Sequence, residues 1–309
     1  VDGVLIYAGK FPAEAGQMLV ARLMVLAHLL TYRVDVPQEG RANWEGEDLR
    51  ISVMPTAKGL RCAVRLPSSG GRILPLSELG LGGTAMAVLR DFVAARSGML
   101  VVTGPAGSGK TTLSYALLTE ILSTDGGISI VTLEDPVERM LPRVTQIEVT
   151  PFGQLTYERA LRSMLRQDPQ VLLLGEVRDP ATAQLAAQAA MSGHRLICTL
   201  HADDPAAAIR RLLDMGVEPF QLTSSLRGVI ALRLLRKRVA DGYAGRTAIG
   251  EAVSVDAALR EAIIKDDDAS HLRDVYTSAK GHVTLREAAR RQVDAGETDP
   301  LEVQRVLGT

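Results

Sequence analysis

Through the middle of this chain, short apolar runs alternate with stretches whose apolar positions recur at helical spacing. Met99-Leu100-Val101-Val102-Thr103, Ile128 to Leu133, Val171 to Leu174 and Leu196 to Leu200 are short, strongly apolar and bounded by polar or turn residues. Such runs predict strands buried on both faces. Between them, Leu113 to Leu122, Tyr157 to Arg166, Ala181 to Met191 and Pro205 to Met215 carry the helical pattern, and Gly193 supplies a stop for the third. Strands alternating with helices predict an α/β domain on a parallel sheet covered on both faces.

The flanks read differently. Thr84 to Arg96 predicts a helix leading into the first of those strands, and Ala13 to Leu30 predicts another near the start. Leu49 to Val53 and Arg61 to Leu66 alternate in polarity and predict two strands, with Lys58-Gly59 as their turn. Pro67 to Gly71, rich in Pro, Ser and Gly, marks the linker. After about Val255 the pattern is helical with charged faces, and Lys265-Asp266-Asp267-Asp268 reads as a solvated loop between helices. The expected organisation is a small α+β N-terminal domain over residues 1–68, a linker over 69–76, and an α/β domain over 77–309 that is helical from about 255.

Composition narrows the partners. At 309 residues the chain is long enough for two cores. Lys+Arg number 35 against 36 Asp+Glu, a net charge of −1, and aromatics are only 4%. Neither a broad basic footprint nor a base-stacking platform is available, so no nucleic-acid partner is expected. Cys62 and Cys198 each lie in an apolar run and read as small buried hydrophobes, which fits a reducing, cytoplasmic setting. Met18 to Leu30, the nearest approach to a membrane span, is short and contains Arg22 and His28. No signal peptide is visible, and the first residue is Val1, so upstream residues are expected to have been removed.

The chemistry centres on Gly104-Pro105-Ala106-Gly107-Ser108-Gly109-Lys110-Thr111, followed by Thr112. It fits the G-x-x-x-x-G-K-T pattern and sits between a predicted strand and a predicted helix, the order a phosphate cradle requires. Glycines let backbone N–H groups close around phosphate oxygens. Lys110 is expected at the β/γ-phosphates of a nucleotide and Thr111 on Mg²⁺.

Three later strands end in polar residues: Glu134 and Asp135, then Glu176, then His201. Ligands of open α/β sheets bind beyond those carboxyl ends. Glu176 follows a buried apolar run, where an idle carboxylate is costly, and is the candidate to orient the attacking water. Glu134 is a candidate either to share that task or to hold a metal-bound water. Gly175 stands where an Mg²⁺-holding Asp is usual, so Glu176 is also a candidate metal contact, through water. His201, at the ligand end of its strand, reads as a site residue or as an ordinary satisfied polar group; both readings stay open. His194, at the opposite end, reads as structural.

Together these motifs resemble the type II secretion and type IV pilus assembly ATPases over nearly the whole chain. The P-loop is similar to Gly104 to Thr111. The family's acidic box resembles Leu133-Glu134-Asp135-Pro136-Val137-Glu138. Its second-carboxylate motif resembles Leu165-Arg166-Gln167-Asp168-Pro169 with Gly175-Glu176-Val177-Arg178-Asp179. Its histidine box resembles Gly193-His194 through Thr199-Leu200-His201-Ala202-Asp203-Asp204, with Ala202-Asp203 where Thr-Asn is usual. Val1 to Leu5, Gly40-Arg41 and Asp48 to Ser52 resemble the family's second N-terminal domain, and Thr284 to Glu287 and Leu301 to Val306 its C-terminal helices.

The resemblance implies a RecA-like P-loop domain with a helical C-terminal extension, preceded by a PAS-like small domain, truncated here because the family's begins upstream of Asp2-Gly3. It implies that Arg50 and Arg65, and more weakly Arg41, reach the γ-phosphate from that domain. It implies no zinc, since no cysteines lie between Arg233-Leu234-Leu235-Arg236-Lys237-Arg238 and Gly242 to Thr247. The implied protein is a cytoplasmic motor ATPase forming a homo-oligomeric, hexameric ring, peripheral to the inner membrane. It would work with platform and assembly proteins of a secretion or pilus machine, with secretion or extension favoured over retraction. The alternatives are a nucleic-acid translocase and a non-catalytic nucleotide-binding scaffold on the same core.

Overall fold

The computed structural model describes residues 2–66, 72–149, 155–265 and 267–308. The expected linker Pro67 to Gly71 lies outside the described residues. The chain separates into two compact units, Gly3–Arg72 and Ile73–Thr309.

In the first unit, helix α1 (Ala13–Leu26) packs on a three-stranded antiparallel sheet of β1 (Gln38–Trp44), β2 (Glu47–Thr56) and β3 (Gly59–Arg65), in that order. Alternation in β2 turns Leu49, Ile51 and Val53 under Met24 and Ala27 of the helix end. A side chain at Gly40 would put its Cβ 2.3 Å from the Ala27 carbonyl, so only glycine lets β1 cross there. The helix stops short of the expected Leu30. His28 turns left-handed (φ 57°), its N–H bonds Val25 O at 3.1 Å and Leu29 N–H bonds Met24 O at 2.8 Å, a reversal that satisfies the last carbonyls. On the sheet face away from α1, register places Arg41 opposite Arg50, and Arg50 opposite Arg65. Cys62 is only half-buried, unlike its expected core position.

The second unit begins with α2 (Gly83–Ala94), β4 (Gly98–Thr103), α3 (Lys110–Thr124), β5 (Ile130–Glu134), β6 (Thr145–Glu148), α4 (Tyr157–Met164), β7 (Val171–Leu174), α5 (Pro180–Met191) and β8 (Arg195–Leu200). It continues through α6 (Pro205–Asp214), α7 (Pro219–Ser225), β9 (Leu226–Val239), β10 (Gly242–Ser254), α8 (Ala257–Ile264), α9 (Ala269–Thr277), α10 (Leu285–Asp294) and α11 (Pro300–Leu307). The sheet runs β10-β9-β4-β8-β7-β5-β6. The expected parallel sheet is present from β9 to β6, whereas β10 runs antiparallel to β9 as an edge hairpin.

Alternation within the buried strands divides the core into two layers. Leu100, Val102, Leu173 and Ile197 face α2 and α3; Met99, Val101, Leu172, Leu174 and Cys198 face α5 and α6. Helix starts are explicit in sequence. Asp179-Pro180, Asp204-Pro205 and Asp299-Pro300 each combine a capping carboxylate with a proline preset for the first turn. In the loop expected at Lys265 to Asp268, Asp268 caps α9. No helix among the described residues is long and apolar enough to cross a membrane.

The C-terminal helices close over the hairpin. Leu285 and Ala289 pack on Ala231, Leu235 and Ile249. Glu302 of α11 is fully buried and receives the Arg236 backbone N–H (3.0 Å), the Arg236 guanidinium (2.7 Å) and the Arg305 guanidinium (2.6 Å). Arg236 also lies 4.0 Å over the Tyr243 ring, and the Tyr243 hydroxyl donates to Asp299 at 2.5 Å. Burial pushes the Glu302 carboxyl up, but the hydrogen bonds from Arg305 and Arg236 outweigh it and hold it at about 2. Its contribution is therefore complete above the ordinary glutamate range and is lost as pH falls from about 4.5 towards 2. Thermal melts across that window should show a destabilising step. Glu302→Gln should remove the step and cost on the order of 3 kcal/mol at neutral pH; an unchanged acid profile would contradict this account.

Candidate nucleotide site

The loop between β4 and α3 has the geometry of an anion cradle. Gly104 (φ 144°) lies so close to β9 that an added Cβ would sit 2.6 Å from both the Leu232 carbonyl and the Ser108 hydroxyl. Gly109 (φ 94°) is the left-handed N-cap of α3, whose first turn carries Lys110, Thr111 and Thr112. The free N–H groups and dipole of that helix start favour a negative ligand. Pro105, Ala106 and Gly107 are exposed at the rim. Two features mark the cradle as made for phosphate. Among the described residues the buried Ser108 hydroxyl has no hydrogen-bond partner. The Lys110 ammonium donates to the loop's own carbonyls, Gly104 O at 2.7 Å and Pro105 O at 3.0 Å. Burial lowers the Lys110 pKa; Glu176 and Glu138 oppose that shift, and Arg233 adds to it.

Beside the loop, the order β4-β8-β7-β5 brings the polar strand ends to one edge of the sheet. Glu176 is held between Arg178 (2.7 Å) and His201 Nε2 (3.3 Å), so the structure joins two of the expected site residues directly. Arg178 also reaches Asp135 at 3.4 Å, and its hydrogen bond to Glu176 raises its pKa. The turn after β8 is pinned to the base of the P-loop. The Thr103 hydroxyl accepts from Ala202 N–H (2.9 Å), and Arg211 donates to His201 O (2.9 Å). The glycine before Glu176 also has a cause. A side chain at Gly175 would meet Leu133 O at 3.1 Å and Glu134 Cα at 3.2 Å, so the carboxylate emerges one position later.

Glu134 is differently placed. Its carboxylate is 3% exposed and receives the Tyr115 hydroxyl, Thr132 Oγ1 (2.5 Å) and Gln146 Nε2 (3.1 Å). The acid of this box that stands exposed, with its charge acting on Lys110, is Glu138. Sequence alone did not separate the two, because which one turns inward depends on partners at Tyr115 and Gln146. Arg233 was likewise not expected. It is 9% exposed, burial lowers its pKa, and it donates to Asp203 O (3.1 Å) and Oδ1 (3.3 Å) beside the cradle. It lies in β9, the strand that flanks the P-loop strand and that the sequence patterns did not reveal. His194 bonds Ala189 O at 3.0 Å at the other end of β8. Arg41, Arg50 and Arg65 belong to the first unit.

Comparison with known proteins gives this geometry its context. A family model described as type II/IV secretion system protein matches residues 1–305. The type II secretion system protein HxcR of Pseudomonas aeruginosa is 38% identical, over 99% of this chain and 70% of its own length. The type IV pilus assembly ATPase PilB of Thermus thermophilus is 33% identical, over 98% of this chain and 39% of its own. Among solved structures, the pilus retraction motor PilT with bound ADP is 26% identical with a TM-score of 0.70, covering 87% of this chain and 77% of that one. The ATPase DotB of Yersinia pseudotuberculosis, 22% identical with a TM-score of 0.73 over 93% of this chain and 81% of its own, shares the fold. The cradle at Lys110, the paired Glu176 and His201, and a family match spanning both units identify this chain as a member of the type II/IV secretion system protein family of P-loop ATPases.

Proposed function

We propose that this chain converts ATP hydrolysis into work for a secretion or pilus-assembly machine. The observation that carries the reading is the convergence, on one sheet edge, of the P-loop with Lys110 and the Glu176–His201 pair. Lys110 would exchange its two loop carbonyls for β- and γ-phosphate oxygens, while the first turn of α3 offers N–H groups to the same charge. Glu176, oriented by His201 and Arg178, would accept a proton-bearing edge of the attacking water. Glu138, exposed and with its charge acting on the same lysine, takes the supporting role that the sequence alone left with Glu134. Thr111 and, through water, Glu176 would hold Mg²⁺, which when bound neutralises charge on the phosphates.

The small domain would supply the remaining cations. Register sets Arg50 opposite both Arg41 and Arg65, so the three arginines share one sheet face. We assign Arg50 and Arg65, supported by Arg41, to the γ-phosphate on domain closure, which makes turnover depend on that motion. Such a motor would act as a homo-oligomeric ring, a hexamer, at the cytoplasmic face of an inner membrane, beside platform and assembly proteins. A nucleic-acid translocase is not favoured: the matched relatives are secretion and pilus proteins, and the net charge is −1.

Steady-state ATP hydrolysis per chain, followed across protein concentration with and without Mg²⁺, tests the whole reading. Mg²⁺-dependent activity that rises with assembly is expected; tight ATP binding with no turnover in any assembly state would leave only a scaffold. Lys110→Ala should abolish turnover. Glu176→Gln should retain nucleotide binding and lose roughly two orders of magnitude in rate, and wild-type turnover in that variant would remove Glu176 from the mechanism. Arg50→Gln or Arg65→Gln should lower kcat by about a hundredfold or more with ADP affinity little changed. Loss of ADP affinity instead would place these arginines in ground-state binding.

A further inference from the structure

The acidic box contains two glutamates four positions apart, and the fold treats them in opposite ways. Glu138 is exposed and its charge acts on Lys110. Glu134 is buried and takes donors on both carboxylate oxygens. What links them is Tyr115, five residues beyond Lys110 on the same helix. Its ring is buried at 5% exposure. Its hydroxyl donates to Glu134 Oε2. Burial, and then Glu134, push the phenol well above its ordinary range, so it remains a donor at any assay pH.

The other end of the node is equally built. Gln146 of β6 donates from Nε2 to Glu134 Oε1 (3.1 Å) and to Arg139 O (2.9 Å), while its Oε1 accepts from Leu141 N–H (2.6 Å). Glu148 accepts from Val137 N–H at 3.0 Å. The turn that carries Glu138 is therefore gripped at Val137, Arg139 and Leu141. Two of those grips, at Arg139 and Leu141, run through Gln146, and the node they join reaches the P-loop helix through Glu134 and Tyr115.

We infer that Tyr115 is a positioning residue: through the buried Glu134–Gln146 node it fixes the turn that carries Glu138, and Glu134 is the hub of that node and not a group that meets the water. The inference rests on the reading of Glu138 as a carboxylate of the site. A buried polar node that only stabilised the fold would show its loss in melting temperature. A node that aims a carboxylate shows it in kcat, and only while that carboxylate is present.

The test is a double-mutant cycle on the full chain, using single-turnover ATP hydrolysis with Mg²⁺, ADP affinity and thermal melts for wild type, Tyr115→Phe, Glu138→Gln and the pair. Tyr115→Phe keeps the ring and removes the hydroxyl. It is expected to lower the hydrolysis rate about tenfold or more, with ADP affinity unchanged, and to have no further effect in the Glu138→Gln background. Effects that multiply in the double variant would overturn the inference, as would a Tyr115→Phe chain that turns over like wild type while Glu138→Gln does not. Wild-type turnover in Glu138→Gln would sink the underlying reading of the site instead. Gln146→Met, which cuts the node at its far end with little change in volume, repeats the cycle if Tyr115→Phe fails to fold.

Discussion

Parallel pairing of β4, β8, β7 and β5, side by side, is the constraint on which the rest depends. It brings four carboxyl ends to one edge, so residues from positions 104 to 201 meet without any local sequence relation. Parallel strands must be covered on both faces, and the two-layer core meets that demand with alternate residues of the same strands. The P-loop then has little freedom. It is wedged against β9 at Gly104 and tied to the histidine-box turn through Thr103.

Charge follows the same logic. Arg178 and His201 both bond the partly exposed Glu176. Arg233 lies almost buried beside the cradle, where desolvation is costly, and three acceptor contacts offset that cost. Lys110 satisfies itself on loop carbonyls, which are weaker partners than phosphate. The edge of the sheet thus holds its charged groups in hydrogen-bonded positions.

How much of this was legible in sequence depends on how local each signal is. The buried strands and the strand–loop–helix context of the P-loop are written in consecutive residues, and the structure places them as the patterns predict. β9 and β10 were not assigned as strands because charged residues interrupt their apolar runs, Arg227, Arg233 and Arg236 in β9 and Arg246 and Glu251 in β10, and α10 and α11 cover their pairing. β6 is four half-exposed residues with no apolar run to reveal it. The contrast between Glu134 and Glu138 was invisible because it is decided by Tyr115 and Gln146, one upstream and one downstream. No window centred on the acidic box contains the phenol that turns one carboxylate inward.

The Arg236–Glu302 contact has a temporal meaning. Its partners lie 66 residues apart, and the intervening chain must finish β10 and three helices before the carboxylate reaches the guanidinium. During synthesis the strand ends that carry Lys110, Glu176 and His201 are made long before Glu302 leaves the ribosome. The hairpin strand would meanwhile hold an arginine without its intended acceptor, and closing so long a loop adds an entropic delay. The seal of the C-terminal helices over the edge hairpin is thus the last of these contacts that a nascent chain can make.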